Sequence, residues 1–199
     1  MIQTFHDSIS DAEKLRALHH HCVNDLNLPG DYDDLLRMGL VYCMSALDKL
    51  IHDIIIYQMV ETFTGRRAPT KKFLTETISM QDKTNLANAV MPPPEIVFER
   101  IVRHKLSHLS FMESSKISDA LSLIWSEDHK WQHISIAMNR TREQTITELK
   151  NLYERRNGIV HETDRDPTTG QKMQILPSDA ERAENFIRLL GESIYNLTN

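Results

Sequence analysis

The residues best suited to chemistry in this sequence lie in one short segment of its C-terminal half. Arg156, Asn157 and His161 place a fixed cation, an amide and a titratable imidazole close together. A guanidinium can hold a phosphate through two parallel hydrogen bonds. An imidazole can accept or donate a proton near neutral pH. Together these groups are sufficient to cleave a phosphodiester without a metal ion.

The spacing of these three residues predicts how they lie on a helix. Asn157 and His161 share a face because they are four residues apart. Arg156 and His161 are five residues apart, which separates them by roughly 140° around an ideal helix. We therefore expect the arginine and the histidine to flank a groove rather than to contact each other. Three neighbouring residues are candidates to support them: Arg155, Glu162 and Asp164.

The elements that position this segment are predicted to be helices throughout. Only 6 glycines and 7 prolines interrupt the 199 residues, and apolar side chains recur at intervals of three and four, which indicates an all-α fold. We expect a single domain over residues 1–199.

The first predicted elements are a helix from Asp11 to Leu26 capped by Ser10 and Glu13, a long helix from Asp31 to Phe63, and an irregular segment with short helical pieces at 65–94. Helices follow at 95–106, 117–125 and 131–138, then the motif helix capped by Thr141 and Gln144, and a last helix capped by Ser178 and Glu181.

The long helix is predicted to be central because its middle is apolar on nearly every side. Asp48 interrupts that middle. A carboxylate in a buried stretch is costly unless it is paired. We therefore expect Asp48 either to meet a partner or to face a cavity.

Composition limits the classes of function that the chain can have. Its net charge of −5 argues against a nucleic-acid binder that uses a broad surface. Basic side chains do cluster locally, at Arg140, Arg142, Lys150, Arg155 and Arg156. No apolar run approaches the ~18 residues of a membrane span, and residues 1–7 lack a signal-peptide pattern. Cys22 and Cys43 lie in apolar, helical surroundings, so we expect two reduced core thiols in a cytoplasmic protein.

Histidine pairs raise the question of a metal site. His104 and His108 are four residues apart, as are His129 and His133, so either pair could bind zinc from one helix face. Neither pair has the adjacent glutamate of a zinc-protease helix. We expect structural or surface histidines, with no metal and no cofactor, and keep a zinc site as the less favoured interpretation.

The motif and its setting resemble those of the HEPN superfamily. The resemblance is carried by Arg156, Asn157 and His161, where a polar residue directly follows the arginine, as in that superfamily's Arg-x4–6-His signature. It also rests on the position of the motif, late in an all-α chain and before a final amphipathic helix. Further segments are similar to the RiboL-PSP-HEPN and MAE_28990-like branches: residues 45–53, 110–112 with 116–117, and 155–164.

This resemblance implies a fold and an activity. The implied fold is a HEPN-like helical bundle with a long central helix and extra short helices before the motif helix. The implied activity is that of a metal-independent endoribonuclease, working as a homodimer whose two motifs face one cleft. The implied setting is a toxin–antitoxin system, phage defence or RNA processing. An antitoxin or a neighbouring defence protein would then be a partner beside the RNA substrate.

The resemblance also implies roles for individual residues. His161 would take the proton from a ribose 2′-hydroxyl or give one to the leaving 5′-oxygen, and Arg156 would stabilise charge on the phosphate. Asn157 would orient the substrate or the imidazole. Asp48 would set the tautomer of the histidine or bind a ribose hydroxyl. A symmetric dimer would bring a second His161 to the cleft, and the product would carry a 2′,3′-cyclic phosphate.

Two other classes of function remain open on the sequence. The chain could be a catalytically inactive HEPN module that binds RNA, a nucleotide or a partner protein. It could also be a helical interaction protein, such as the partner or scaffold of a toxin. Binding of RNA without turnover would favour the first, and a stable protein complex that needs neither Arg156 nor His161 would favour the second.

Overall fold

The polypeptide folds entirely into helices and their connections. The structure is a computed structural model that describes residues 1–199. Nine α-helices and no β-strand confirm the predicted all-α class. They are α1 (Ile2–His20), α2 (Asp33–Phe63), α3 (Lys71–Thr75), α4 (Met80–Ala87), α5 (Pro94–Leu106), α6 (Ser114–Leu121), α7 (Lys130–Ala137), α8 (Arg142–Glu162) and α9 (Pro177–Thr198).

Helix α2 is the central element, as its sequence predicts. Helices α1, α5, α8 and α9 all pack against it, so it is buried on more than one side. Leu47, Ile51 and Ile54 are among its fully buried side chains, and they belong to a core cluster of 34 residues. None of the helices is both long and apolar enough to cross a membrane.

Helix α1 begins earlier than its sequence suggests. The predicted start at Asp11 is wrong, because the helix begins at Ile2 and Ser10 lies inside it. Phe5 and Ile9 extend the buried stripe of the helix toward its N-terminus. Their burial in the core stabilises the added turns more than a Ser10 cap would stabilise a later start. The helix continues into one π-helical turn, His21–Asp25.

The two cysteines differ in environment. Cys43 is fully buried on α2, and burial raises the pKa of its thiol to about 12. It is the core thiol that was predicted. Cys22 is only half-buried, so the expectation of a second core thiol is wrong.

The segment between α2 and α8 consists of short helices, as predicted. Helix α4 packs against α5, and the Ser79–Asp82 capping box fixes its N-terminus. Helix α6 begins at Ser114 rather than at the predicted Ile117. Of these helices, α5 and α6 contact α2, and α7 contacts α8 and α9.

Helix α8 carries the motif without interruption. The predicted capping box of Thr141 and Gln144 is present at its start, and the helix passes through Gly158 to Glu162. The chain then reverses through Thr163 and Asp164, which both have positive φ angles.

The last helix, α9, begins at Pro177. The predicted cap by Ser178 is wrong, because the carboxylate of Asp179 accepts the backbone N–H of Leu176 at 3.0 Å and closes the first turn instead.

Candidate functional site

Arg156 occupies a position on the buried side of α8. Thr145, Leu149 and Leu152 form the buried line of this helix, and Arg156 follows Leu152 by four residues on the same line. Its Nε atom is buried and has no hydrogen-bond partner. A polar guanidinium therefore stands where the helical pattern would otherwise place an apolar side chain.

The guanidinium of Arg156 is bound only to a neutral neighbour. Its Nη1 donates to the Oδ1 of Asn157 at 3.1 Å, and no carboxylate forms an ion pair with it. Burying charge without a counter-ion costs free energy. The protein thus retains a positive charge that an incoming anion could pair with, and Asn157 helps to hold its direction.

Arg155, unlike Arg156, is bound to a carboxylate of the same chain. Its Nη2 donates to the Oδ2 of Asp164 at 2.7 Å, and the Nε of Arg37 on α2 donates to the same oxygen at 2.7 Å. Asp164 is only 1% exposed. Arg155 also reaches the backbone carbonyls of Met173 and Gln174. Arg155 and Asp164 therefore fasten the loop after the motif to α2 and α8, and neither is bonded to Arg156 or His161.

His161 and Glu162 lie exposed on the last turn of α8. Neither side chain forms a hydrogen bond or an ion pair within the chain. Asn157 lies one turn earlier on the face of His161, and Val160 beside it is 45% exposed. Arg155 lines one of the principal cavities of the chain, but Arg156, Asn157, His161 and Glu162 line none of them. The motif therefore opens onto a surface and not into an enclosed pocket of one copy.

Asp48 meets a partner, which was one of the two outcomes expected for it. Its Oδ1 accepts the backbone N–H of Phe111. One turn later, the ring of His52 bonds to the backbone carbonyls of Asp48 and Leu106. No hydrogen bond joins Asp48 to His161. Its carboxylate holds the loop before α6 against α2, in place of the expected contact with His161.

A further polar group next to the motif was not identified from the sequence. Tyr153 lies one turn before Asn157 on α8, beside the carboxylate of Glu113. Lys116 pairs with the same carboxylate at 2.5 Å, and these two partners, Lys116 foremost, lower the pKa of Glu113. The four-residue spacing to Asn157 could have indicated Tyr153. The partners could not be found in this way, because they come from a distant segment.

The histidine pairs do not recruit additional metal ligands. The rings of His104 and His108 lie edge to face with centroids 6.1 Å apart. No group of three or more His, Cys, Asp or Glu side chains in the chain is arranged to hold a metal ion.

In a comparison with known protein families, the RiboL-PSP-HEPN family matches residues 6–199 of the chain. The matched region includes the long helix α2 and the whole of α8. No curated protein and no solved structure matches the chain.

Proposed function

The chain belongs to the RiboL-PSP-HEPN family, and from that premise we propose that it is a metal-independent endoribonuclease, acting as one HEPN domain over residues 1–199. HEPN domains commonly dimerise and bind RNA, and they often have ribonuclease activity. The observation that carries the proposal is the contrast between two adjacent arginines. Arg155 is committed to the buried Asp164, whereas Arg156 has only the neutral Asn157 as a partner.

The proposed reaction is an internal transfer of the phosphodiester. The ribose 2′-oxygen attacks the phosphorus and loses its proton to an imidazole, the bond from phosphorus to the 5′-oxygen breaks, and that oxygen is protonated as it leaves. The products are a 2′,3′-cyclic phosphate and a 5′-hydroxyl. Arg156 stabilises the charge that develops on the non-bridging oxygens, and Asn157 orients the guanidinium. Because the 2′-hydroxyl is the nucleophile, DNA cannot be a substrate.

A second copy of the chain completes the proposed site. One imidazole cannot stand on both sides of the phosphorus as base and acid. Each copy exposes its own His161 on an open surface at the end of α8, which suits a cleft shared across a two-fold axis. We place such a dimer among toxin, phage-defence or RNA-processing nucleases, with an antitoxin or neighbouring defence protein as its regulator.

The proposal is tested by RNA cleavage with the purified protein in EDTA. His161→Ala should reduce the single-turnover rate by about 10²–10⁴-fold, and Arg156→Ala by about 10²–10³-fold. His129→Ala is the matched control, because His129 is also exposed and its side chain has no bonded partner. A requirement for added metal, or full activity in His161→Ala, would show that the mechanism is wrong.

An inactive RNA-binding module is the second candidate. One observation favours it: the motif of a single copy lies on an open surface and not in an enclosed pocket. In that case the protein would bind RNA without turnover, and Arg156→Ala would bind it as tightly as the wild type.

A further inference from the structure

The surface around α4 carries a concentration of exposed apolar side chains. The four most exposed large hydrophobic residues of the chain are Met91 at 93%, Val90 at 86%, Met80 at 75% and Leu74 at 69%. An exposed apolar side chain contributes almost nothing to the stability of the fold, because its surface stays in contact with water. Contiguous patches of this kind mark surfaces that bind other molecules.

A cleft lies beside these residues, between α4 and α5. Its volume is about 650 Å³. Ile78, Val97 and Ile101 form its apolar part, and the adjoining face of α5 packs into the core through Phe98 and Val102. The apolar stripe of α5 is therefore wide: its Phe98 and Val102 side is buried in the core, whereas Val97 and Ile101 are only half-buried at the cleft.

Two basic residues line the cleft without partners. Arg100 and His104 are one turn apart on α5, and neither side chain forms an ion pair or a hydrogen bond. Asp82 is the only acidic residue in the lining, and its carboxylate accepts the hydroxyl of Ser79 at 2.6 Å in the helix cap. The uncommitted charge of the cleft, on Arg100, is therefore positive, on a chain whose net charge is −5.

The other basic residues at this end of α5 are already paired. Arg103 donates to Glu99 at 2.8 Å, and Lys105 pairs with Glu76 and donates to the carbonyl of Thr77. Arg100 and His104 thus differ from their neighbours in remaining available to an outside partner.

We propose that this cleft binds an amphipathic helical segment of another protein. Apolar side chains of that segment would enter the space lined by Ile78, Val97 and Ile101. Acidic side chains on its flank would pair with Arg100 and His104. A helix laid into a groove between two helices buries one apolar face and leaves its polar flank at the rim, which matches the distribution of groups around this cleft. The site is separate from Arg156 and His161 and does not depend on the nuclease chemistry.

Other occupants fit the cleft less well. In a two-fold symmetric dimer, the cleft of one copy would face the cleft of the other. Arg100 of each copy would then lie near Arg100 of the other, and these like charges repel. Single-stranded RNA is usually held by aromatic side chains that stack on bases. The exposed residues here are aliphatic or methionine, so the cleft lacks those platforms.

The proposal is tested by selecting displayed random 16-residue peptides on the immobilised full-length protein. Selected peptides should carry an apolar stripe at helical spacing with acidic flanks, and they should bind in fluorescence anisotropy. Arg100→Glu should weaken them about tenfold or more, and replacing the peptide's acidic residues by lysine should restore binding to that variant. Ile78→Ser should also weaken binding, because Ile78 lines the cleft, and its exposed side chain contributes little to folding.

Arg103→Glu is the matched control, since it makes the same charge change one turn further along α5 and outside the cleft. It should change the peptide affinity less than twofold. The proposal is overturned if no such peptides are selected, or if they bind Arg100→Glu as tightly as the wild type. Three other ligands are compared: anionic phosphatidylserine vesicles, single-stranded RNA and a second copy of the chain. The proposal is also overturned if Arg100→Glu weakens the binding of one of these ligands and does not weaken the binding of the peptides.

Discussion

At the scale of single residues, the adjacent Arg155 and Arg156 differ in their partners within the chain, and the roles proposed for them follow from that difference. The sequence identifies both as cations beside a histidine. It does not indicate that one is bonded to a buried carboxylate and the other is not, because Asp164 and Arg37 reach Arg155 only through the fold. The environment of each guanidinium, and not its type or spacing, supports the role proposed for it.

This contrast predicts opposite effects of the same substitution on stability. Arg156→Met removes an unsatisfied buried nitrogen and puts an apolar side chain on the buried line of α8, so the free energy of unfolding should stay equal or rise by about 1 kcal/mol. Arg155→Met leaves the buried Asp164 with Arg37 as its only partner. This variant should lower the free energy of unfolding by about 1–3 kcal/mol. Urea unfolding of the two variants measures both changes. A stable Arg155→Met beside a destabilised Arg156→Met would contradict the assignment of roles.

At the scale of elements, periodicity predicted most helices, and packing decided the rest. The stripe of α2 and the capping box of α8 were visible because they depend on residues close in sequence. The start of α1 was not, since it depends on Phe5 packing near Gly191 of α9. The bond from Phe111 to Asp48 was also hidden, because it joins positions 63 residues apart.

Two glycines in helices should respond oppositely to alanine. A Cβ at Gly158 would meet nothing within 4 Å, so Gly158→Ala should raise the free energy of unfolding by about 0.5–1 kcal/mol through helix propensity. A Cβ at Gly191 would lie 2.7 Å from the Cε1 atom of the Phe5 ring and nearer still to its Cζ. Gly191→Ala should therefore lower the free energy of unfolding by about 1–3 kcal/mol. Thermal and urea unfolding check the pair, and equal effects would refute this packing of α1 on α9.

The contact of α1 with α9 should also make stability depend on pH. Glu184 of α9 is 2% exposed and accepts from Arg16 of α1 at 2.9 Å. Burial raises the pKa of Glu184 above its ordinary 4.5, and Arg16 offsets this only in part. The folded state therefore holds the proton more tightly than the unfolded state. The resulting stabilisation is complete below pH 4.5 and is lost as the pH rises through the raised pKa.

Glu184→Gln tests this dependence, because glutamine does not titrate in that window. The melting temperature of the wild type should fall more steeply than that of the variant as the pH rises from 4.5. Parallel curves for the two proteins would show that Glu184 is not the group responsible.

At the scale of the whole molecule, the fold fixes the end of the motif helix and leaves its outer face open. The loop after His161 is anchored through Asp164 to α2, and Lys172 binds Asp34 of α2 at 2.8 Å and lowers the pKa of that carboxylate. His161 itself stays exposed beyond this anchor. The all-α class and the family could be predicted from the sequence. The anchor could not, because it assembles charges from α2, α8 and the loop between α8 and α9.

The most direct test of the central claim compares two RNA strands that differ by one oxygen atom. The first is an RNA that the wild-type protein cuts in EDTA, and the second carries a single 2′-deoxyribose at the mapped cut position. The proposed mechanism predicts that both strands bind equally, that only the first is cut at that position, and that its new end is a 2′,3′-cyclic phosphate. Cleavage of the deoxy strand at the same position would contradict it, because attack by a 2′-hydroxyl would then not be the reaction.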